Sequence, residues 1–257
     1  MNPSPSPTIL LTGWGVPIAR LDALKNCLTE RLGDAPLPFD MADIGTSPST
    51  FPLPDNEPSP YARALSEVLM ADRRPAVVIG WSTGALIALE TASFWPAQIE
   101  KLVLISPTAC FCARENYPHG TNTAEFRLMI SGMKKKMRRN RVLEDFFIRL
   151  AFPKKPSAES LQAQVSDALS QGDDALFSGL AYLLHTDLRA RMTLIPQPTL
   201  VIHGGKDQII PISGANWICD NLAHALLISE EEEGHHLPGT IPDVIARNAQ
   251  EFILTRQ

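Results

Sequence analysis

Residues 77–92, "VVIGWSTGALIALETA", decide how this chain is read. The stretch opens as a run of β-branched and apolar residues, breaks at Gly80 and Gly84, and continues in a helical pattern, so a buried strand passes directly into a helix. One serine, Ser82, stands between the two glycines. In so tight a turn the central residue is forced into strained backbone angles, and side chains two places before and after it would collide; glycine at both places removes the collision. Ser82 then projects from the carboxyl edge of a sheet, beside the free N–H groups of a helix N-terminus, where ligands collect in open α/β sheets. Five residues of G-x-S-x-G recur by chance, and it is the strand before and the helix after that give them meaning.

Outward from this junction, apolar runs of strand length alternate with helical patterns, the signature of βαβ units and a parallel sheet. Residues 8–13 read as the first strand, 17–33 as a helix with leucines at 21, 24, 28 and 32 that ends at Gly33, and 36–43 as a weaker strand. A proline-rich loop over 48–60 leads into a helix around 61–74, followed by the strand and helix of the opening stretch and a strand over 101–107. The alternation then stops. From 108 to 195 the text is mostly helical, broken at Pro118, Pro153, Pro156 and Gly172. Strands resume over 198–207 and 225–229, with a helix over 212–222 between them and a last helix after Pro242. The expected architecture is α/β, a mostly parallel sheet with flanking helices, its core formed by 1–107 and 196–257, with a helical cap inserted over 108–195.

Composition limits the function. A chain of 257 residues, 44% apolar and 20% charged, can bury a large core. No apolar run approaches the roughly 18–20 uncharged residues of a membrane helix, and "MNPSPSPTILL" has neither a basic leading region nor a cleavage site. A soluble, cytoplasmic, monomeric protein with no membrane role is expected. Cys27, Cys110, Cys112 and Cys219 include one C-x-C pair with no second Cys or His pair near it in sequence, so reduced thiols and no metal site are expected. The formal charge of −5 is uneven: residues 125–141 carry seven basic side chains against Glu125 alone, a net of +6 that leaves −11 on the rest. Nucleic acid would use such charge, but no nucleic-acid-binding module accompanies it.

A hydroxyl is a poor nucleophile at neutral pH unless a base takes its proton and an acid orients the base. The chain supplies Asp207 just past one strand and His235 just past the next, in the order this architecture needs. His236 is the rival; a glycine immediately before the histidine, Gly234, lets the loop fold back over the sheet edge and favours His235. His203, inside a strand, reads as structural, and His119, His185 and His224 have no partner in view. The run Glu230 to Glu233 reads as a solvated face, close enough in sequence to raise the pKa of His235. Acyl transfer also needs two N–H donors aimed at the oxyanion: the amide of Thr83 at the helix start, and the amide of Trp14 in the glycine-flexed loop "LLTGWGVP" after the first strand. This chemistry calls for no cofactor.

With Ser82, Asp207, His235 and the "TGWG" loop in place, the chain resembles the α/β-hydrolase family, and within it the carboxylesterases that act on pimeloyl-acyl-carrier-protein methyl ester in biotin synthesis. The likeness is carried by "GWSTG", with tryptophan before the serine, by "ISPTACFCARENYP" with its Cys-Phe-x-Ala-Arg run, and by "NRVLEDFFIRL" and "GGKDQIIP" at the places of the cap and the acid loop. It implies hydrolysis of that methyl ester, with acyl-carrier protein as partner. It also implies an apolar acyl channel drawn from Trp14, Trp81, Thr83, Phe146 and Leu150. An acidic carrier would find a docking face in Lys134, Lys135, Lys136, Arg138, Arg139 and Arg141. Three departures stand out: Thr12 where the family usually has histidine, no room for a leading β-hairpin before the first strand, and a denser basic run. Two alternatives compete, a small-molecule carboxylesterase or carbon–carbon bond hydrolase of the same fold, and a non-catalytic binding protein on that fold.

Overall fold

The computed structural model describes residues 6–54 and 56–255. Among them six strands form one sheet in the order β2-β1-β3-β4-β5-β6, comprising β1 (Thr8–Leu11), β2 (Leu37–Phe39), β3 (Ala76–Trp81), β4 (Ile99–Ile105), β5 (Thr199–Gly204) and β6 (Ala225–Glu230). Every pairing is parallel, where the sequence led only to a mostly parallel sheet. The central strands β3 and β5 are buried at every residue, which is why their text is apolar without alternation. The chain runs outward from β1 to β2, then returns to lay β3 on the other side of β1. That reversal makes the carboxyl ends of β1 and β3 the place where the sheet opens a crevice. The expectation of no leading hairpin falls partly on residues 1–5, which lie outside the described residues; residues 6 and 7 are irregular.

Helices α1 (Asp22–Leu32) and α10 (Pro242–Leu254), the latter preceded by the single turn α9 (Leu237–Thr240), pack together, as do α2 (Pro60–Met70) and α3 (Thr83–Phe94), while α8 (Ile212–Asn221) packs on β5 and β6. Their ends obey local chemistry. The Ser59 hydroxyl accepts the Ala62 N–H at the start of α2, and Gly33, at φ 89°, closes α1 in the left-handed conformation that favours glycine. Lys101, buried in β4, donates to the carbonyls of Phe252, Ile253 and Thr255 at the end of α10.

Between β4 and β5 the chain leaves the sheet and builds a cap from α4 (Thr123–Lys134), α5 (Lys136–Ala151), α6 (Ala158–Ser170) and α7 (Asp173–His185). The break between α4 and α5 has neither glycine nor proline to mark it. Lys135 is extended there, and Arg139 reaches back to donate from Nε to the Met133 carbonyl at 2.9 Å, satisfying one of the groups that the end of α4 leaves open.

Helix α3 is buried from Thr83 through Ser93, and this includes a carboxyl, Glu90. Its oxygens accept the Ser59 N–H at 2.8 Å, the Ser59 hydroxyl at 2.7 Å and the Tyr182 hydroxyl of cap helix α7 at 2.8 Å. Burial pushes the Glu90 carboxyl above its ordinary value of 4.5, and the donors offset this only in part. A carboxyl whose folded pKa is raised contributes its full stability below the unfolded pKa and loses it as the pH climbs through the folded one. Glu90→Gln removes the titration. Melting temperatures measured from pH 4 to pH 8 should show the variant gaining on the native protein as the pH rises, whereas a constant difference would mean that the Glu90 carboxyl has the same pKa folded and unfolded.

Candidate active site

Ser82 sits at φ 55°, and only it and Ser106, at φ 48°, are non-glycine residues with positive φ among those described. The two flanking glycines are required sterically. A Cβ on Gly80 would lie 2.6 Å from the Gly84 carbonyl oxygen, and one on Gly84 would lie 2.6 Å from the Thr12 carbonyl oxygen and 2.7 Å from the Leu11 Cβ. The first turn of α3 is thus pressed against both its own strand and β1, and Ser82 is left at the open edge.

Asp207, in the loop after β5, and His235, in the loop after β6, meet there. Asp207 Oδ1 accepts the Ile209 and Ile210 amides at 2.7 and 2.9 Å, and Oδ2 faces His235 Nδ1 at 2.6 Å. His235 Nε2 is 2.8 Å from Ser82 Oγ. A carboxylate only accepts, so Nδ1 carries the proton and Nε2 offers its lone pair to the serine hydroxyl. Burial pushes the Asp207 carboxyl up, but the charge and hydrogen bond of His235, the charge of His203 and the Ile210 amide outweigh it and hold the carboxyl below its ordinary value. The backbone of His235 is pinned as well, its carbonyl accepting the Trp81 indole N–H at 3.0 Å and the Ser106 hydroxyl at 3.2 Å.

His236 is turned elsewhere. It lines a separate cavity of about 160 Å³ with Arg20 and Asp167, and burial, with the charges of His235, Arg20 and Lys154, pushes its pKa down to about 4. His203 is more than packing. Its Nε2 donates to the Ile210 carbonyl at 2.9 Å and lies 3.4 Å from Asp207 Oδ2, a contact with the acid that sequence reasoning missed although the two stand four residues apart. The glutamates 231, 232 and 233 are engaged with Ser229, Lys206 and Lys154.

The loop after β1 is closed by Thr12, whose hydroxyl donates to the Val16 carbonyl at 2.9 Å. Trp14 is tied to the cap, its indole N–H donating to the Leu176 carbonyl at 2.9 Å and its ring meeting Phe146 edge-on at 5.0 Å. The Thr83 N–H, first of α3, has no acceptor among the described residues, whereas the Trp14 N–H donates to Thr83 Oγ1 at 3.2 Å. Trp14, Trp81, Ser82, Thr83, Phe146 and Leu150 all line one cavity of about 360 Å³. Phe126 and Met129 of α4 also line it; with Met133 they fall at helical spacings of three and four, which was the available signal.

Lys134, Lys135, Lys136, Arg138 and Arg141 are exposed on α4, α5 and the break between them. Arg139 departs from the expectation that the whole run forms a docking face. Its side chain is 11% exposed, paired with Asp173 at 2.5 Å and laid over the Phe177 ring, so its charge is spent inside the cap. Among the described residues no group of His, Cys, Asp and Glu could hold a metal ion, and no helix is long and apolar enough to cross a membrane.

Residues 9–248 match the alpha/beta hydrolase family. A protein of Nitrosomonas europaea named pimeloyl-[acyl-carrier protein] methyl ester esterase is 30% identical over 177 residues, 66% of this chain and 69% of its own length. One of the same name from Aromatoleum aromaticum is 28% identical over 249 residues, 88% and 90% of the two chains. Among solved structures, an esterase from Exiguobacterium antarcticum aligns with a TM-score of 0.78 at 23% identity, over 98% of this chain and 93% of that one. A bromoperoxidase from Bacillus anthracis aligns with a TM-score of 0.82 at 19% identity, over 98% and 92%. At these identities the structural likenesses show the fold.

A mainly apolar cavity beside Ser82, with Glu125, Asp145 and Arg149 also on its lining, suits an extended acyl chain, and Phe146 forms part of its wall. Phe146→Ala should raise KM for long-chain acyl esters several-fold more than for acetate esters, measured by steady-state hydrolysis of a chain-length series. Equal effects across the series would remove Phe146 from the acyl wall.

Proposed function

This chain belongs to the alpha/beta hydrolase family, and from that premise we propose that it is a serine carboxylesterase that cleaves the methyl ester of pimeloyl carried on acyl-carrier protein. The observation that carries the chemistry is the chain of contacts from Asp207 through His235 to Ser82, 2.6 and 2.8 Å long, at the wall of a mainly apolar cavity. The relatives named for this reaction support the substrate. The reaction is assigned to a cytoplasmic monomer whose partner is the carrier.

In this scheme Ser82 Oγ attacks the ester carbonyl while His235 Nε2 takes its proton, and Asp207 keeps the imidazole in the required tautomer and steadies the imidazolium. The carbonyl oxygen becomes an oxyanion beside the Thr83 amide at the head of α3, with the Trp14 amide next to it, bonded to Thr83 Oγ1. Methoxide leaves with the proton from His235, as methanol. Water, deprotonated by the same imidazole, then attacks the acyl-serine, releasing the free carboxylate and restoring Ser82. The cap walls the acyl chain, and the exposed cations of α4 and α5 face an acidic carrier.

Ser82→Ala should lower ester hydrolysis by about 10⁴-fold or more with the fold intact. His235→Ala should match it, and His236→Ala should stay within a few-fold of native, since His236 faces another cavity. Covalent labelling by a fluorophosphonate, read by intact mass, checks the nucleophile directly; no labelling, or labelling that survives Ser82→Ala, would reject it.

The partner is tested by salt. Screening shortens from about 10 Å at 0.1 M to about 3 Å at 1 M ionic strength. The kcat/KM for carrier-bound ester should therefore fall steeply over that range while p-nitrophenyl butyrate hydrolysis stays flat. Arg138→Glu with Arg141→Glu should bring the high-salt value to low salt. A salt-independent carrier reaction that also survives the reversal would favour a small-molecule ester as substrate.

A further inference from the structure

The hydroxyl of Thr83 is the one polar group at the head of α3 that the scheme above leaves without a task. Thr83 is 2% exposed and lines the cavity that holds Ser82. Its Oγ1 accepts the Trp14 N–H at 3.2 Å. An oxygen that accepts from one side must turn its own proton to another, so the Thr83 O–H points away from Trp14. Threonines inside helices usually direct that proton to the carbonyl four residues earlier, as Thr29 does to Lys25 at 2.7 Å and Thr91 to Ile87 at 2.8 Å. Thr83 is the first residue of its helix, and the residue four before it, Ile79, lies in β3. No such bond forms, and among the described residues the hydroxyl proton has no acceptor.

Donors that no protein group accepts are found at catalytic sites. Here the Thr83 O–H, the Thr83 N–H and the Trp14 N–H lie together at the wall of the cavity that holds Ser82, where attack by the serine creates an anionic oxygen. We propose that the Thr83 hydroxyl is itself a catalytic donor to the oxyanion. The Trp14 N–H hydrogen-bonds to Oγ1 and polarises the O–H, and the O–H in turn donates to the oxygen that gains charge when Ser82 attacks. The Trp14 amide thus acts through the hydroxyl, and the Thr83 amide acts directly. Hydrogen bonds in such a chain strengthen one another, and donors fixed before the reaction need no reorganisation as charge develops. The inference rests on the esterase reading of Ser82.

The test is steady-state kinetics of Thr83→Val, Thr83→Ala and Thr83→Ser with a methyl ester substrate, on proteins whose thermal melting is measured alongside. Valine keeps the shape and removes the hydroxyl, alanine removes both the hydroxyl and the branch, and serine restores the hydroxyl. Loss of one oxyanion donor costs about 10²–10³ in kcat. Valine and alanine should therefore both lower kcat by about that factor with KM little changed, because the contact exists only in the transition state, and serine should recover most of the loss. A valine variant within about threefold of native kcat, or faster than native, overturns the proposal; in that outcome the hydroxyl only packs, or plugs the Trp14 N–H until substrate displaces it. A loss that serine fails to recover also overturns it, since the branch and not the hydroxyl would then matter. Fluorophosphonate labelling of the native protein separates the two levels: if Ser82 does not label, the esterase reading fails, and if it labels while valine is harmless, only the role of the Thr83 hydroxyl fails.

Discussion

The close approach of α3 to β1 governs this molecule. With no Cβ on Gly84, the helix start settles against the Thr12 carbonyl and the Leu11 side chain, and with none on Gly80 the turn can close on itself. The cost is taken at Ser82, held at φ 55° by everything packed around it. The same approach brings the loop after β1 next to Thr83, so one steric fact sets the position of Ser82, the direction of the helix N-terminus and the distance to Trp14. The strand order supplies the rest, because β1 and β3 are neighbours at the point where the sheet reverses direction.

The cap is fastened to this framework by polar ties set among apolar surfaces. Trp14 donates to the Leu176 carbonyl, Tyr182 to Glu90, and Ser178 to the Thr46 carbonyl, all three drawing α7 onto the core. Each such bond contributes about 1 kcal/mol net, but leaving any of them unmade in the interior costs more, so they define where the cap can sit. On the opposite side Gly234 packs against the Phe152 carbonyl, where any side chain would collide. The loop that bears His235 is therefore also in contact with the cap, and the cavity wall and the imidazole are placed by one set of constraints.

Charge is distributed by a different rule. The basic run over 134–141 is exposed except for Arg139, which bonds a carbonyl in the last turn of α4 and pairs with Asp173, the first residue of α7. A cation used in this way joins helices and adds little to the field outside. The remaining five are exposed on a chain that is otherwise strongly acidic, and such an asymmetry acts over the distance of a Debye length, before contact.

What the sequence by itself determined is whatever depends on near neighbours along the chain. The strand, turn and helix of residues 76–94 were legible because two glycines around a serine between an apolar run and a helical one permit few other structures. The alternation of strands and helices, the helical insertion, and the placing of Asp207 and His235 just past successive strands were legible because periodicity reports burial. The break at Lys135 was not; there a side chain four residues on bends back to a carbonyl of α4. Nor could the sequence say that His203 lies against the Asp207 carboxylate, that Glu90 is buried under Tyr182, or that Arg139 is spent on Asp173. The contact of the Trp14 N–H with the Thr83 hydroxyl joins residues 69 apart. Partners at such separations are chosen by how packed elements come to lie, and residue type and spacing hold no record of that. Only the tertiary structure decides it.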